Sequence, residues 1–324
     1  MNSCFSQTDA IEARIERAQG CLLGQLAGDS LGSIVEFMSG EDIRRLYPQG
    51  LRRLKHGGVW NTLAGQPTDD SEMALLLARY LAEHGSYDAD AVFDRYRWWF
   101  ASDPFDYGMT IMRALQGNPD EKSQANGALM RVSPIGIAGS CYSHAETVRW
   151  AEADAMLTHP NILCRQANAL FTMAIAEAVN TGPDPDALYQ EILSWIEERE
   201  TEYTLAKAVR LAADGPPADY STQSGWVIIA LHNALYRLLY AAGFEDGVVD
   251  TVMQGGDSDT NAAVCGALLG AVYGINSIPD QWKKCIQSCR PQAGKDGVYN
   301  PRPSELWPVD ALELAAVLVT RKDC

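Results

Sequence analysis

Apolar residues recur at three- and four-residue intervals along most of the chain, the signature of helices that bury one face. This pattern predicts helices over 11–31, 69–84, 89–100, 144–157, 163–180, 186–200, 225–242, 259–273 and 310–319. Runs of strict alternation bounded by turns, which would mark strands, are not found; 51–60 is at most a short extended segment. Glycine and proline clusters at 47–50, 64–67, 182–185 and 215–217 punctuate the helices, and none is long enough for an interdomain linker. No repeat of solenoid period is present. The expectation is an all-α fold: one compact helical domain over 18–324, including a C-terminal helical tail, behind an N-terminal extension over 1–17.

Two of these helices have an unusual composition. Glycine stands at 20, 24, 28 and 32, and again at 266, 270 and 274. Each glycine inside a helix costs about 1 kcal/mol relative to alanine. Close approach of two helices along a ridge without side chains would offset that cost. The ridges therefore predict that two segments distant in sequence are central and adjacent. The first carries Asp29, and the second follows an acidic run at 257–259.

The chain has 324 residues, 47% of them hydrophobic, enough for a sizeable core. A formal net charge of -16 argues against a nucleic-acid partner, because phosphate recognition favours a basic surface. Eight cysteines include no CxxC pair, and Cys285 with Cys289 lacks a matching pair to complete a zinc site. Reduced, structural thiols in a cytoplasmic protein are expected. The first residues lack the basic and apolar regions of a secretory signal, and no apolar run is long enough to cross a bilayer. The expectation is a soluble protein.

Two polar runs carry the candidate chemistry. Thr68-Asp69-Asp70-Ser71-Glu72 precedes an apolar helical run, and Asp69 with Glu72 fits a capping box. A cap needs one short polar side chain, however, and this run offers four in succession. Gly255-Gly256-Asp257-Ser258-Asp259-Thr260-Asn261 repeats the arrangement ahead of a small-residue helix. Its carboxylate and hydroxyl oxygens suit a hard divalent cation. Two carboxylates about 4 Å apart repel by roughly 4 kcal/mol at an effective dielectric near 20, so convergence of the runs would demand protonation or a cation. Without convergence they are two ordinary caps.

Both runs resemble the paired metal-binding motifs of the ADP-ribosylglycohydrolases, most closely the bacterial dinitrogenase-reductase-activating type. The resemblance extends to Gly24-x-x-x-Gly28-Asp29-Ser30-Leu31-Gly32 with Val35-Glu36-Phe37, and to Asp103-Pro104-Phe105-Asp106-Tyr107-Gly108. Asn126-Gly127-Ala128-Leu129-Met130-Arg131, Thr158-His159-Pro160 and Ser224-Gly225-Trp226 follow in the family's order. It implies an all-α fold holding two Mg²⁺ ions, or Mn²⁺, through Thr68, Asp69, Asp70, Asp257, Asp259 and Thr260. It implies catalytic roles for Glu36, Asp106 and Asp257, and substrate contacts from Asn126, Gly127, Ala128, Met130, His159, Gly225 and Trp226. Asp29 is expected to support the ligands from behind or to pack structurally. Arg131 is open to two readings, a phosphate contact or a buried ion pair, and Tyr107 to base stacking or the core.

The activity the resemblance implies is removal of ADP-ribose from mono-ADP-ribosylated protein, with ADP-ribosyl-arginine favoured, by cleavage of the glycosidic bond. An alternative is an immunity protein that neutralises an ADP-ribosylating toxin, by de-modification or by binding through the segment before Gly20. A silent ADP-ribose binder and a metal-dependent phosphoryl hydrolase are the competing classes. Intact side chains at every expected ligand position count against the first, and the order of the flanking motifs against the second.

Overall fold

The computed structural model describes residues 7–321. Nine long helices stand where the periodicity places them, with ends displaced by about one turn at most. They are α1 (Gln7–Gly32), α3 (Asp69–His84), α4 (Ala89–Ala101), α7 (His144–Thr158) and α8 (Ile162–Thr181), then α9 (Pro185–Glu198), α11 (Val227–Tyr240), α13 (Ser258–Tyr273) and α15 (Ala311–Thr320). Six further helices were not expected: α2 (Gly40–Leu46), α5 (Met109–Leu115), α6 (Ser133–Gly139), α10 (Tyr203–Leu211), α12 (Phe244–Val252) and α14 (Asp280–Ser288). None of these exceeds 9 residues, too short to display a helical period clearly. Among the described residues there is no sheet, only isolated bridges such as Ser39 with Gly255 and Ala125 with Trp226.

α13 is the axis of the fold. Every residue from Ser258 to Ala271 is buried, as expected of a helix that is apolar all round. Helices α1, α8, α11 and α12 pack around it. Its contact with α1 is the glycine ridge. A Cβ at Gly20, Gly24 or Gly28 would lie 2.3, 2.3 or 2.0 Å from the carbonyl oxygens of Gly270, Gly266 and Ala262. No side chain fits there, so the two backbones touch. The last contact sets Gly32 against Ser258, whose hydroxyl donates to the Gly32 carbonyl at 2.8 Å.

The boundary expected at 17/18 falls inside α1, which runs unbroken from Gln7. Arg14 donates to the Ser140 carbonyl at 3.0 Å and Arg17 to the Val179 carbonyl at 2.9 Å, so these two basic side chains face the body. Residues 1–6 of the segment considered for toxin contact lie outside the described residues. Cys21, Cys164, Cys265, Cys285 and Cys289 are free thiols. Cys141 is disulfide-bonded, which corrects the expectation of wholly reduced cysteines. No helix among the described residues is long and apolar enough to cross a membrane.

Candidate active site

Neither acidic run caps its own helix. Thr68 occupies the N-cap position of α3 without a side-chain cap bond. The capping is supplied from α1: the Asp29 carboxylate accepts from the Thr68 amide at 3.1 Å, the Ser71 amide at 3.2 Å and the Thr68 hydroxyl at 2.9 Å. The expected capping box does not form, because Glu72 is engaged elsewhere. It accepts from Arg302 Nε at 2.8 Å and from Trp99 Nε1 at 2.8 Å. Asp69 and Asp70 are thereby left to face a cleft.

At the start of α13, Asp257 stands at the N-cap and likewise makes no cap bond. Gly255 and Gly256 precede it at φ +76 and +71, a conformation that favours glycine. A Cβ on Gly256 would sit 1.9 Å from the Tyr220 carbonyl oxygen. The turn is pinned to the loop after α1, with the Phe37 amide donating to the Gly256 carbonyl at 2.8 Å and the Gly256 amide to Met38 at 3.0 Å. That pairing carries Glu36 to the second acidic run. Asp257 accepts from the Asn126 side-chain amide at 2.7 Å, and Asn126 is itself fixed by its own amide's bond to the Gly225 carbonyl at 2.9 Å.

The two runs meet. Asp70 of the first run and Asp257 and Thr260 of the second stand close enough to act on one another across the gap between the helices. Glu36, Asp106 and Asp259 offer carboxylate oxygens that all lie within 4.8 Å of one another. Glu36 and Asp106, expected to act apart from the ligands, thus stand at ligand distance from Asp259. Around these acids lies a cleft of about 220 Å³, lined also by Asp69, Asp70, Asp257 and Thr260.

Burial and mutual repulsion shape the electrostatics. Burial, then the charge of Asp106, pushes Glu36 up to about 8 against an opposing hydrogen bond from the Trp60 indole. Burial and Asp257 raise Asp106 to about 6. Asp29 rises to about 7 through burial, despite its bonds to Thr68 and Ser71. Asp69, Asp70 and Asp259 are held well above the usual carboxylate range by burial and then by neighbouring acids, and burial also raises Asp257. The fully buried ion pairs of the described residues are elsewhere, Arg131 with Asp154 and Arg302 with Glu72. Asp70 Oδ1 is buried with no hydrogen-bond partner. An all-oxygen donor set with an orphaned carboxylate oxygen and unrelieved repulsion fits a hard divalent cation.

The remaining expected residues divide. Asn126, Gly127, Met130, His159 and Gly225 line the cleft. His159 is buried, bonded through Nδ1 to the Thr158 hydroxyl at 2.8 Å, with Nε2 unpartnered and facing Gly127. Burial and Arg131 push it down to about 3, so it is neutral. Arg131 pairs with Asp154 at 2.9 Å, which settles its reading as an ion pair. Ala128 is buried outside the cleft lining. Trp226 is also outside it, in a groove that continues past Ala125 and Gly225, with its indole donating to Gln124 at 2.9 Å. A larger cavity of about 620 Å³ lies on the other side of Trp226, walled by Leu211, Pro216, Pro217, Ile228 and Ile229 with Lys207, Asp214, Asp219 and His232 among them, and it gathers no comparable cluster of buried acids.

Three residues gain roles that their types did not suggest. Phe37 stands on the cleft rim at φ +60 and 65% exposed. Trp60 holds Glu36, and Arg302 holds Glu72.

The family model for ADP-ribosylglycohydrolases matches residues 10–307. The ADP-ribosyl-[dinitrogen reductase] glycohydrolase of Rhodospirillum rubrum is 31% identical over 278 residues, covering 82% of this chain and 89% of that protein. The chain belongs to the ADP-ribosylglycohydrolase family. As an ADP-ribosylglycohydrolase it is a hydrolase of glycosidic bonds. It is also 27% identical over 301 residues to an ADP-ribosylarginine hydrolase of Pseudomonas putida, covering 84% of this chain and 74% of that one. A solved structure described as an ADP-ribosylglycohydrolase-related protein complex shares 28% identity and a TM-score of 0.77, over 95% of this chain and 98% of the other. The helical architecture is therefore that of the ADP-ribosylglycohydrolases.

Proposed function

We propose that this ADP-ribosylglycohydrolase removes ADP-ribose from modified arginine side chains of proteins, using two Mg²⁺ ions, or Mn²⁺, in the acidic cleft. The observation that carries this reading is the convergence of two helix N-termini whose acids line one cleft. Thr68, Asp69, Asp70, Asp257, Asp259 and Thr260 would hold the ions. When bound, the ions would supply Lewis-acid polarisation of ribose hydroxyls or of the attacking water.

The chain's own residues supply the rest. In the metal-free cleft Glu36 is pushed up to about 8 and Asp106 to about 6, so the two carboxyls differ in their hold on a proton. Such a divided pair can manage the proton at a glycosidic oxygen or nitrogen and at the attacking water. Asn126 orients Asp257. The groove beyond Gly225, lined by Lys122, Gln124 and Trp226, offers a cation and an aromatic face to a diphosphate and base. The acidic mouth favours a cationic guanidinium as the group released, and exposed Phe37 and Tyr107 on its rim can pack on that planar cation. The names of the Rhodospirillum rubrum and Pseudomonas putida relatives support hydrolysis on protein or on arginine.

The test is release of free ADP-ribose from arginine-linked and serine-linked mono-ADP-ribosylated proteins, side by side, with Mg²⁺, Mn²⁺ or a chelator. The expected result is metal-dependent release from the arginine-linked substrate that Asp69→Ala and Asp257→Ala abolish. Release unaffected by chelation and by both substitutions, or confined to serine-linked substrate, overturns the reading.

A further inference from the structure

The segment between α14 and α15 contributes no acid to the cleft, yet it contains a buried arginine with every arm engaged. Arg302 is 5% exposed. Its Nε donates to Glu72 Oε1 at 2.8 Å and its Nη2 to Glu72 Oε2 at 2.9 Å. Nη2 also donates to the Ser102 hydroxyl at 2.9 Å, while Nη1 reaches the carbonyls of Ser102 at 2.9 Å and Asp103 at 3.0 Å. A buried guanidinium is tolerated when its donors are satisfied by a matched fork of acceptors, and here the fork spans two separate elements.

Both elements lead into the cleft. Glu72 sits in the first turn of α3, beside Asp69 and Asp70. Ser102 and Asp103 end α4 and lead within a few residues to Asp106. Asp103 adopts φ +57, a left-handed conformation that a non-glycine residue keeps only when its surroundings hold it. The carbonyl of that residue is one of those gripped by Arg302. Arg302 is anchored in turn: its amide donates to the Pro291 carbonyl at 2.8 Å, and its carbonyl accepts from the Trp307 indole at 2.9 Å. The same segment also holds the approach to α3, with the Gln66 side chain donating to the Asn300 carbonyl at 2.7 Å.

We propose that Arg302 is a positioning residue for Asp106, clamping the Ser102–Asp103 backbone to the start of α3 so that the Asp106 carboxyl is aimed into the cleft. This rests on the reading of Asp106 as an acid–base group. The backbone turn at Asp103 is the element under control, and the guanidinium fork fixes its distance from Glu72.

The test is a double-mutant cycle on turnover of arginine-linked substrate, with kcat, KM and melting temperature measured for each variant. Arg302→Ala is the direct variant. Arg302→Lys is the milder one, keeping a cation beside Glu72 but losing the planar fork. The expected result for Arg302→Lys is a folded protein with kcat lowered by roughly 10²-fold and KM nearly unchanged, the size of effect that a small misplacement produces. Added to Asp106→Asn, either Arg302 variant is expected to lower kcat no further. A full additional loss in the Asp106→Asn background, or wild-type kcat in Arg302→Lys, overturns the proposal and leaves the hydrolase reading standing. Wild-type turnover by Asp106→Asn itself overturns the role given to Asp106, and this proposal with it.

Discussion

The two helix starts that form the cleft carry the same chemistry on different supports. At α3 the support is a side chain: Asp29 reaches from α1 and accepts three hydrogen bonds, two from backbone amides and one from the Thr68 hydroxyl. At α13 the support is backbone: the Gly255–Gly256 turn is wedged between the loop after α1 and the Tyr220 carbonyl. A polar buttress can be weakened by degrees, because its bonds are modest individually. A steric wedge tolerates no added atom. The two have one result in common, since each holds the acids at a helix start where they line the same cleft.

This contrast can be broken at several depths. The largest effects belong to the acids themselves. Asp70→Ala on one side and Asp257→Ala on the other are expected to lower turnover by about 10²–10⁴-fold while the protein stays folded. Single-turnover release of ADP-ribose measures both, and a strong loss on one side alone would mean that the clusters do not act together. Next come the supports. Gly256→Ala forces a Cβ against Tyr220 and a left-handed φ on alanine, so a loss of roughly 3 kcal/mol or more is expected in chemical denaturation. Asp29→Ala leaves amides at the start of α3 without acceptors and is expected to cost about 1–3 kcal/mol. An equal cost for the two variants would erase the distinction between wedge and buttress.

A smaller, graded effect follows from pH. Glu36, Asp29 and Asp106 are raised to about 8, 7 and 6 in the folded state. Over that window the folded protein retains protons that the unfolded chain has released, so stability is full below about pH 4 and falls as pH rises through these values. The melting temperature of metal-free protein is expected to drop from about pH 5 to about pH 8. Mg²⁺ should raise it more at the upper end than at the lower, where protonation already relieves the repulsion. A melting temperature that climbs across this range without metal would contradict the clustered acids.

Much of this was legible in the residues. Long helices declared themselves by period, and the four-residue glycine spacing correctly foretold that α1 and α13 touch. Asp29, expected to support the first acidic run from behind or to pack structurally, caps α3. Glu72 misled, because its spacing from Asp69 satisfies the capping-box pattern while its partner lies 230 residues away in Arg302. No local rule reaches that far, and a single arginine among prolines and asparagine announces nothing. Short helices such as α6 and α12 were missed because they offer too few turns for a period. Phe37 carries no signal in the sequence beyond its place next to Glu36; that it stands exposed on the cleft rim depends on a backbone conformation that its type does not suggest.

The glycine ridge has a consequence beyond packing. Its rungs are backbone against backbone, so they admit no rotamer adjustment that would let α13 slide or tilt relative to α1. Both sides of the cleft hang on this pair: Asp29 reaches from α1 to the first run, and Asp257 stands at the head of α13. The ridge thus behaves as a caliper whose jaws set the gap between the two acidic clusters. A methyl group added at Gly20, nine residues before Asp29, would be felt as a change of span between the carboxylates of the cleft.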